Sequence, residues 1–262
     1  PDETPESPPE EDEPLPPPPP RTENDNLMFS PETRGDSALL LGDSGMQGSW
    51  GTAIGERLVE LGWNVLPENA HKSGNSGKIA RKPTTQIGSG IRAWTRDNCK
   101  KNKKHPNWGD AGFNCIRSYL ESSNPPKVVY ITLGGNSGTG TDAVKLIDKI
   151  RGVTGLDTPI VWLLGQPAGI GSKGQDKRYF NEPGAAPRGR VARYKEIKAA
   201  IQNINNVTVV DSQVEDPEFN PGTNCTPGKK CSNAEHSDGL HVKLAAVRRL
   251  IQNVSSGTIP AK

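Results

Sequence analysis

No stretch of this 262-residue chain approaches the roughly 18 consecutive apolar residues that carry a helix across a bilayer, and no signal peptide stands at its start. No membrane span is therefore expected. Histidines and cysteines are few, four of each, and nowhere do they take the spacing of a zinc site; no phosphate-binding glycine loop is present either. These absences remove metal-centred and nucleotide-dependent chemistry from the expectations, and no cofactor is predicted. Basic residues are missing altogether from Pro1 to Pro20, which instead holds seven acidic residues and five consecutive prolines at Pro16 to Pro20. A segment of that composition cannot bury a core and reads as an extended linker or docking tail, with a protein partner as its natural ligand.

What remains is a body of ordinary size for one α/β domain. The reading divides the chain into a tail and linker over 1–37 and a folded domain over 38–262. The formal charge of +2 conceals an asymmetry: taking the seven acids of Pro1 to Pro20 from the total of 30 leaves 23 against 32 basic residues, about +9 for residues 21–262. A basic surface suits an anionic polymer, although a solvated face explains it equally; no nucleic-acid partner is expected. Cys99 and Cys115 have 15 residues between them, Cys225 and Cys231 five. Two local disulfides are expected, Cys99–Cys115 and Cys225–Cys231, with free thiols in a reducing compartment as the alternative. The bridged reading points to an exported protein, secreted or part of a surface or virion assembly, and a first residue of Pro rather than Met implies processing or excision from a longer protein.

Along the body, short apolar runs alternate with amphipathic stretches. Strands are predicted over Ala38–Leu41, Trp63–Leu66, Lys127–Leu133, Pro159–Leu164 and Val207–Asp211. Helices are predicted over Ser49–Leu61 (closed by Gly62), Ile87–Asp97, Phe113–Leu120, Thr141–Ile150, Arg190–Asn203 and Val242–Val254. Strand and helix alternating through five rounds predict a parallel sheet with helices on both faces.

In such a sheet the loops after the strands gather at one edge. Ser44 leaves the first strand where Ala38-Leu39-Leu40-Leu41 stops in Gly42-Asp43-Ser44, just before a helix whose backbone N–H groups face any charge developing there. A plain cap formed by Asp43 or Ser44 is the modest alternative. Asn136 follows the clearest central strand, and Asp238 and His241 arrive from the last loop. Together these are the parts acyl transfer needs: Ser44 as nucleophile, His241 as base, Asp238 to orient the imidazole, and the N–H groups of Ser44 and Gly74 with the Asn136 amide as an oxyanion hole. His71, Asn75 and Ser137 lie close enough in sequence to this set to touch substrate.

These residues resemble the SGNH (GDSL-type) hydrolase superfamily. Its first block, Gly-Asp-Ser, matches Gly42-Asp43-Ser44; its second, Asn with Gly five positions on, matches Asn69 and Gly74; its third, Gly-x-Asn, matches Gly134-Gly135-Asn136; its last, Asp-x-x-His, matches Asp238 and His241. Each block is short, but four in order at strand ends carry the likeness over 38–254. The resemblance implies a three-layer α/β/α sandwich of flavodoxin-like form, a central parallel sheet of about five strands, and esterase, lipase or carbohydrate deacetylase activity. Two departures stand out: Ser137 where the family's third block continues with Asp, and Met46 two positions after the nucleophile.

Several residues have plainer readings. Arg34-Gly35-Asp36 is too short to signify integrin binding, His236 reads as a surface neighbour of the Asp-x-x-His pair, and Lys100 to Lys104 as a solvated run. Trp94 and Trp108, which flank that run, suit either sugar stacking or a local core. The function expected is hydrolysis of a small acyl ester, acetyl foremost, on a carbohydrate or cell-wall polysaccharide. Acetyl transfer by the same residues is the rival chemistry, and a glycan-binding structural component the rival of another class. If Ser44 is activated by His241, the rate of ester hydrolysis falls as pH drops through about 6–7, where an ordinary imidazole takes up a proton; a pH–rate profile flat down to pH 4 would contradict the assignment.

Overall fold

In the computed structural model, residues 35–68, 83–103, 108–164, 190–211 and 244–255 are described. A five-stranded sheet runs through their centre. Its strands are β1 (Ser37–Gly42), β2 (Asn64–Leu66), β5 (Val128–Thr132), β6 (Ile160–Leu164) and β7 (Val207–Asp211). All neighbours are parallel, in the order β2-β1-β5-β6-β7. Each predicted strand is present to within a residue or two. From β1 the chain first moves outward to β2 and later crosses back to β5 on the other side, so the order reverses between β1 and β5. That reversal opens a crevice at the carboxyl ends of those two strands.

The apolar runs of β1 and β5 look continuous in sequence, yet strand geometry sends successive side chains to opposite faces. Leu40 and Tyr130 point into one core with Trp50, Ile54 and Leu58 of helix α2 (Ser49–Glu60) and Val247 and Leu250 of helix α7 (Leu244–Ser255). Leu39, Leu41 and Ile131 point into the other, against helices α4 (Phe113–Leu120), α5 (Gly140–Thr154) and α6 (Arg190–Ile201). The result is three layers, α/β/α. Tyr130 is fully buried, and burial pushes its phenol well above the usual tyrosine range.

Local signals set the helix ends. Gly62, at φ +85°, closes α2 in a Schellman motif: Trp63 N–H donates to Leu58 O at 2.9 Å and Gly62 N–H to Val59 O at 2.9 Å. Thr139 caps α5 in a capping box with Asp142, both hydrogen bonds at 3.1 Å. Glu56 and Arg248 join α2 to α7 through a two-point ion pair at 2.7 and 2.8 Å.

The helix predicted over Ile87–Asp97 is corrected. Only one turn forms, α3 (Ile91–Trp94). Thr85 and Gln86 are instead drawn into bridges with Gly42 and Gly109, Gly88 takes φ +77°, and Arg96 O is captured by Phe113 N–H at 2.7 Å. The lysine run is likewise not featureless: β3 (Lys100–Lys101) pairs antiparallel with β4 (Asp110–Ala111) in a small ribbon. A disulfide between Cys99 and Cys115 fastens the base of that ribbon to α4. Trp94 is fully buried in the second core, which resolves its two readings in favour of packing. The tail over 1–34 and the second cysteine pair, Cys225 and Cys231, lie outside the described residues, as does His236.

The Cys99–Cys115 bridge closes a separation of 16 residues, which the chain-entropy account values at about 3 kcal/mol. The double variant Cys99→Ser/Cys115→Ser should lose about that much stability, measured as a lower urea midpoint against the oxidised protein.

Candidate functional site

The crevice between β1 and β5 receives three of the expected site residues. At the end of β1, Gly42 lies so close to β5 and to the residues that follow it that a Cβ there would sit 2.4 Å from Thr132 Oγ1 and 2.6 Å from Met46 Cβ, so only glycine allows the chain to turn at this point. Asp43 N–H then donates to Thr132 O at 3.2 Å, tying the turn to the neighbouring strand. Ser44 opens a single helical turn, α1 (Ser44–Gln47), and is half-buried at the carboxyl edge of the sheet.

Asp43, 8% exposed, is the centre of the arrangement. Its Oδ1 accepts Gly45 N–H at 2.9 Å, capping α1. Its Oδ2 accepts Asn136 Nδ2–H at 2.9 Å, across a sequence separation of 93. One carboxylate therefore holds both the loop that carries Ser44 and the loop that carries Asn136. The sequence reading gave Asp43 only a capping role; the cap is present, but the bond to Asn136 is non-local and has no signature in the residues beside it.

Asn136 Nδ2 also donates to Ser89 O at 3.1 Å, so both of its N–H groups are occupied. The segment containing Ser89 was not singled out in sequence, yet it forms a third wall of the crevice. Gln86 N–H donates to Gly42 O and Gly42 N–H to Thr84 O, each at 3.1 Å. Ser89 Oγ donates to Gln86 O at 2.8 Å and receives Trp94 Nε1–H at 3.1 Å. Ile91 N–H donates to Ser137 O at 3.0 Å. A Cβ on Gly90 would fall 1.8 Å from Ser137 Oγ, so Gly90 gives Ser137 its space. The one sequence clue to this wall is the glycine pair Gly88 and Gly90 around Ser89.

Ser44, Asn136 and Ser137 are thus brought together, and the plain-cap reading of Asp43 is absorbed in a larger role. Asn69, Gly74, His71, Asn75, Asp238 and His241 lie outside the described residues. Among the described residues no group of three or more His, Cys, Asp or Glu is placed to hold a metal ion, and no helix is long and apolar enough to cross a membrane.

Removing the Asp43 carboxylate deletes a cap, worth about 1 kcal/mol, and leaves a half-buried Asn136 N–H without its acceptor, worth about 1–2 kcal/mol. Asp43→Ala should lower the unfolding free energy by about 2–3 kcal/mol in a urea titration, with Asp43→Asn between it and the native protein.

No protein-family model and no curated protein matches the chain in sequence. Among solved structures it is similar to a protein described as a GDSL-like lipase from Bacteroides ovatus, with a TM-score of 0.47 and 12% identity over 86% of this chain and 52% of that one. It is similar also to Est24, a carbohydrate acetylesterase from Sinorhizobium meliloti, with a TM-score of 0.47 and 14% identity over 86% of this chain and 98% of that one. A third is the aryl esterase of M. smegmatis, with a TM-score of 0.44 and 14% identity over 86% of this chain and 98% of that one. The chain spans about half of the Bacteroides protein and nearly all of the other two, and its likeness to the three is one of overall shape.

Proposed function

We propose that the protein is a serine esterase that hydrolyses a small acyl ester, acetyl foremost, carried by a carbohydrate or surface polysaccharide. The observation that carries this reading is the Asp43 carboxylate joining the Ser44 turn to Asn136 at the point where the strand order reverses. A hydroxyl at the start of a helical turn and an amide donor from the adjoining strand loop are thereby held on one rigid support, as acyl transfer requires. The Asp-x-x-His pair of the sequence, Asp238 and His241, supplies the base and its orienting carboxylate in this reading.

In the proposed reaction Ser44 Oγ attacks the acyl carbon while His241 takes the hydroxyl proton. The carbonyl oxygen becomes an oxyanion, received by the N–H groups of Ser44 and Gly74 and by the Asn136 amide. Collapse expels the sugar oxygen, which leaves with the proton from His241, and the acyl group stays on Ser44. Water then attacks that ester with His241 again as base, releasing the carboxylic acid and restoring Ser44. Asn136 contributes by exchange: one of its N–H groups rests on the neutral Ser89 carbonyl, and a full negative charge is the stronger acceptor. The amide therefore favours the transition state over the ground state, which is the condition for raising kcat.

The carbohydrate substrate is supported by the basic body, and work outside the reducing cytosol by the Cys99–Cys115 bridge. Acetate release from p-nitrophenyl acetate and from an acetylated polysaccharide, compared between the native protein and Ser44→Ala, tests the proposal. Native activity that drops by at least about 10³-fold in the variant, with fluorophosphonate labelling lost at the same position, is the expected result. Activity that survives Ser44→Ala would remove Ser44 from the mechanism.

A further inference from the structure

The family pattern that the sequence resembles continues its third block with Asp, where this chain has Ser137, which leaves open what holds the Asn136 turn. The structure assigns that task to helix α6, and within it to Arg193 as a positioning residue. This inference rests on the proposed role of Asn136 as oxyanion donor.

Arg193, half-buried, donates Nη1–H to Gly134 O and to Gly135 O, each at 2.9 Å. These are the two carbonyls immediately before Asn136. One turn further along α6, Glu196 Oε1 accepts the N–H of Gly140, the first residue of α5, at 2.9 Å. Between them, Ile197 and Tyr194 pack on Gly134, where a Cβ would meet Ile197 Cδ1 at 2.6 Å, and Ala200 packs on Gly140. Residues 193, 194, 196, 197 and 200 share one face of the helix, so a single surface of α6 grips both ends of the loop.

The polarity of the grip matters. In a trans peptide the C=O and N–H point in opposite directions. With their carbonyls turned to Arg193, the Gly134–Gly135 and Gly135–Asn136 peptides direct the N–H groups of Gly135 and Asn136 away from it. The guanidinium charge polarises both peptides in that sense, fixing the backbone from which the Asn136 side chain reaches Asp43. Because one nitrogen makes both bonds, a lysine ammonium can reproduce them where methionine, which has no N–H, cannot.

The test compares Arg193→Met and Arg193→Lys with the native protein in p-nitrophenyl acetate hydrolysis and in amide hydrogen exchange over residues 134–137. Arg193→Met should lower kcat about 10–100-fold, the scale of a small misplacement of a catalytic group, with KM within about twofold, and Arg193→Lys should recover most of the loss. Faster exchange at these amides in Arg193→Met, restored in Arg193→Lys, is expected beside it. Unchanged kcat in Arg193→Met, or a change confined to KM, overturns the inference while leaving the esterase reading intact. If the native protein releases no acetate, the esterase reading fails, and exchange alone decides: faster exchange in Arg193→Met still supports Arg193 as what holds the turn, and unchanged exchange overturns it.

Discussion

The Asp43 carboxylate is the constraint on which the site depends. Two loops 93 residues apart in sequence end at its two oxygens, one through Gly45 N–H and one through Asn136 Nδ2–H. A carboxylate accepts both bonds without presenting a donor of its own, and each is strengthened by the ionised acceptor. A serine or threonine cap would satisfy α1 as well but reach only one loop. The acid in Gly42-Asp43-Ser44 therefore does for tertiary structure what the cap does for the helix: it ties the turn that carries Ser44 to the loop that carries Asn136.

The sheet makes this economy possible. β1 and β5 are central, flanked on one side by β2 and on the other by β6 and β7, and both of their faces are buried. Residues Ala38 to Leu41 and Val129 to Ile131 are fully buried and shared between two cores. Strands so enclosed have little freedom to slide, because a one-residue slip would exchange the residues of the two cores. The carboxyl ends of β1 and β5 are thus fixed relative to one another before any polar contact forms, and Asp43 only has to bridge a gap of set width.

Much of this was legible in the sequence, for a physical reason. Buried parallel strands are short apolar runs, and amphipathic helices carry their own periodicity, so β1, α2, α4, β5, α5, β6 and β7 announce themselves locally. Where the prediction failed, the determinant was non-local. The stretch from Ile87 has helical spacing, but pairing of Thr85 with Gly42 and of Gln86 with Gly109, and the turn at Gly88, reserve it for the wall of the crevice and leave only Ile91–Trp94 helical. Likewise Ser89, Arg193 and the second bond of Asp43 matter through partners 47, 59 and 93 residues away. No propensity or motif of a few residues encodes such distances. The Ser44 and Asn136 positions were readable because their glycine-flanked strand ends are local; what aligns them was not.

The contacts that hold the Asn136 turn follow the same logic. In this chain the contact made at 137 is through the backbone, Ser137 O accepting Ile91 N–H at 3.0 Å, and the exposed side chain lies over Gly90. With the positive charge supplied from behind by Arg193 and the negative one from in front by Asp43, the Asn136 turn is held between two opposite charges. Position 137, exposed beside that turn, contributes the backbone bond to Ile91.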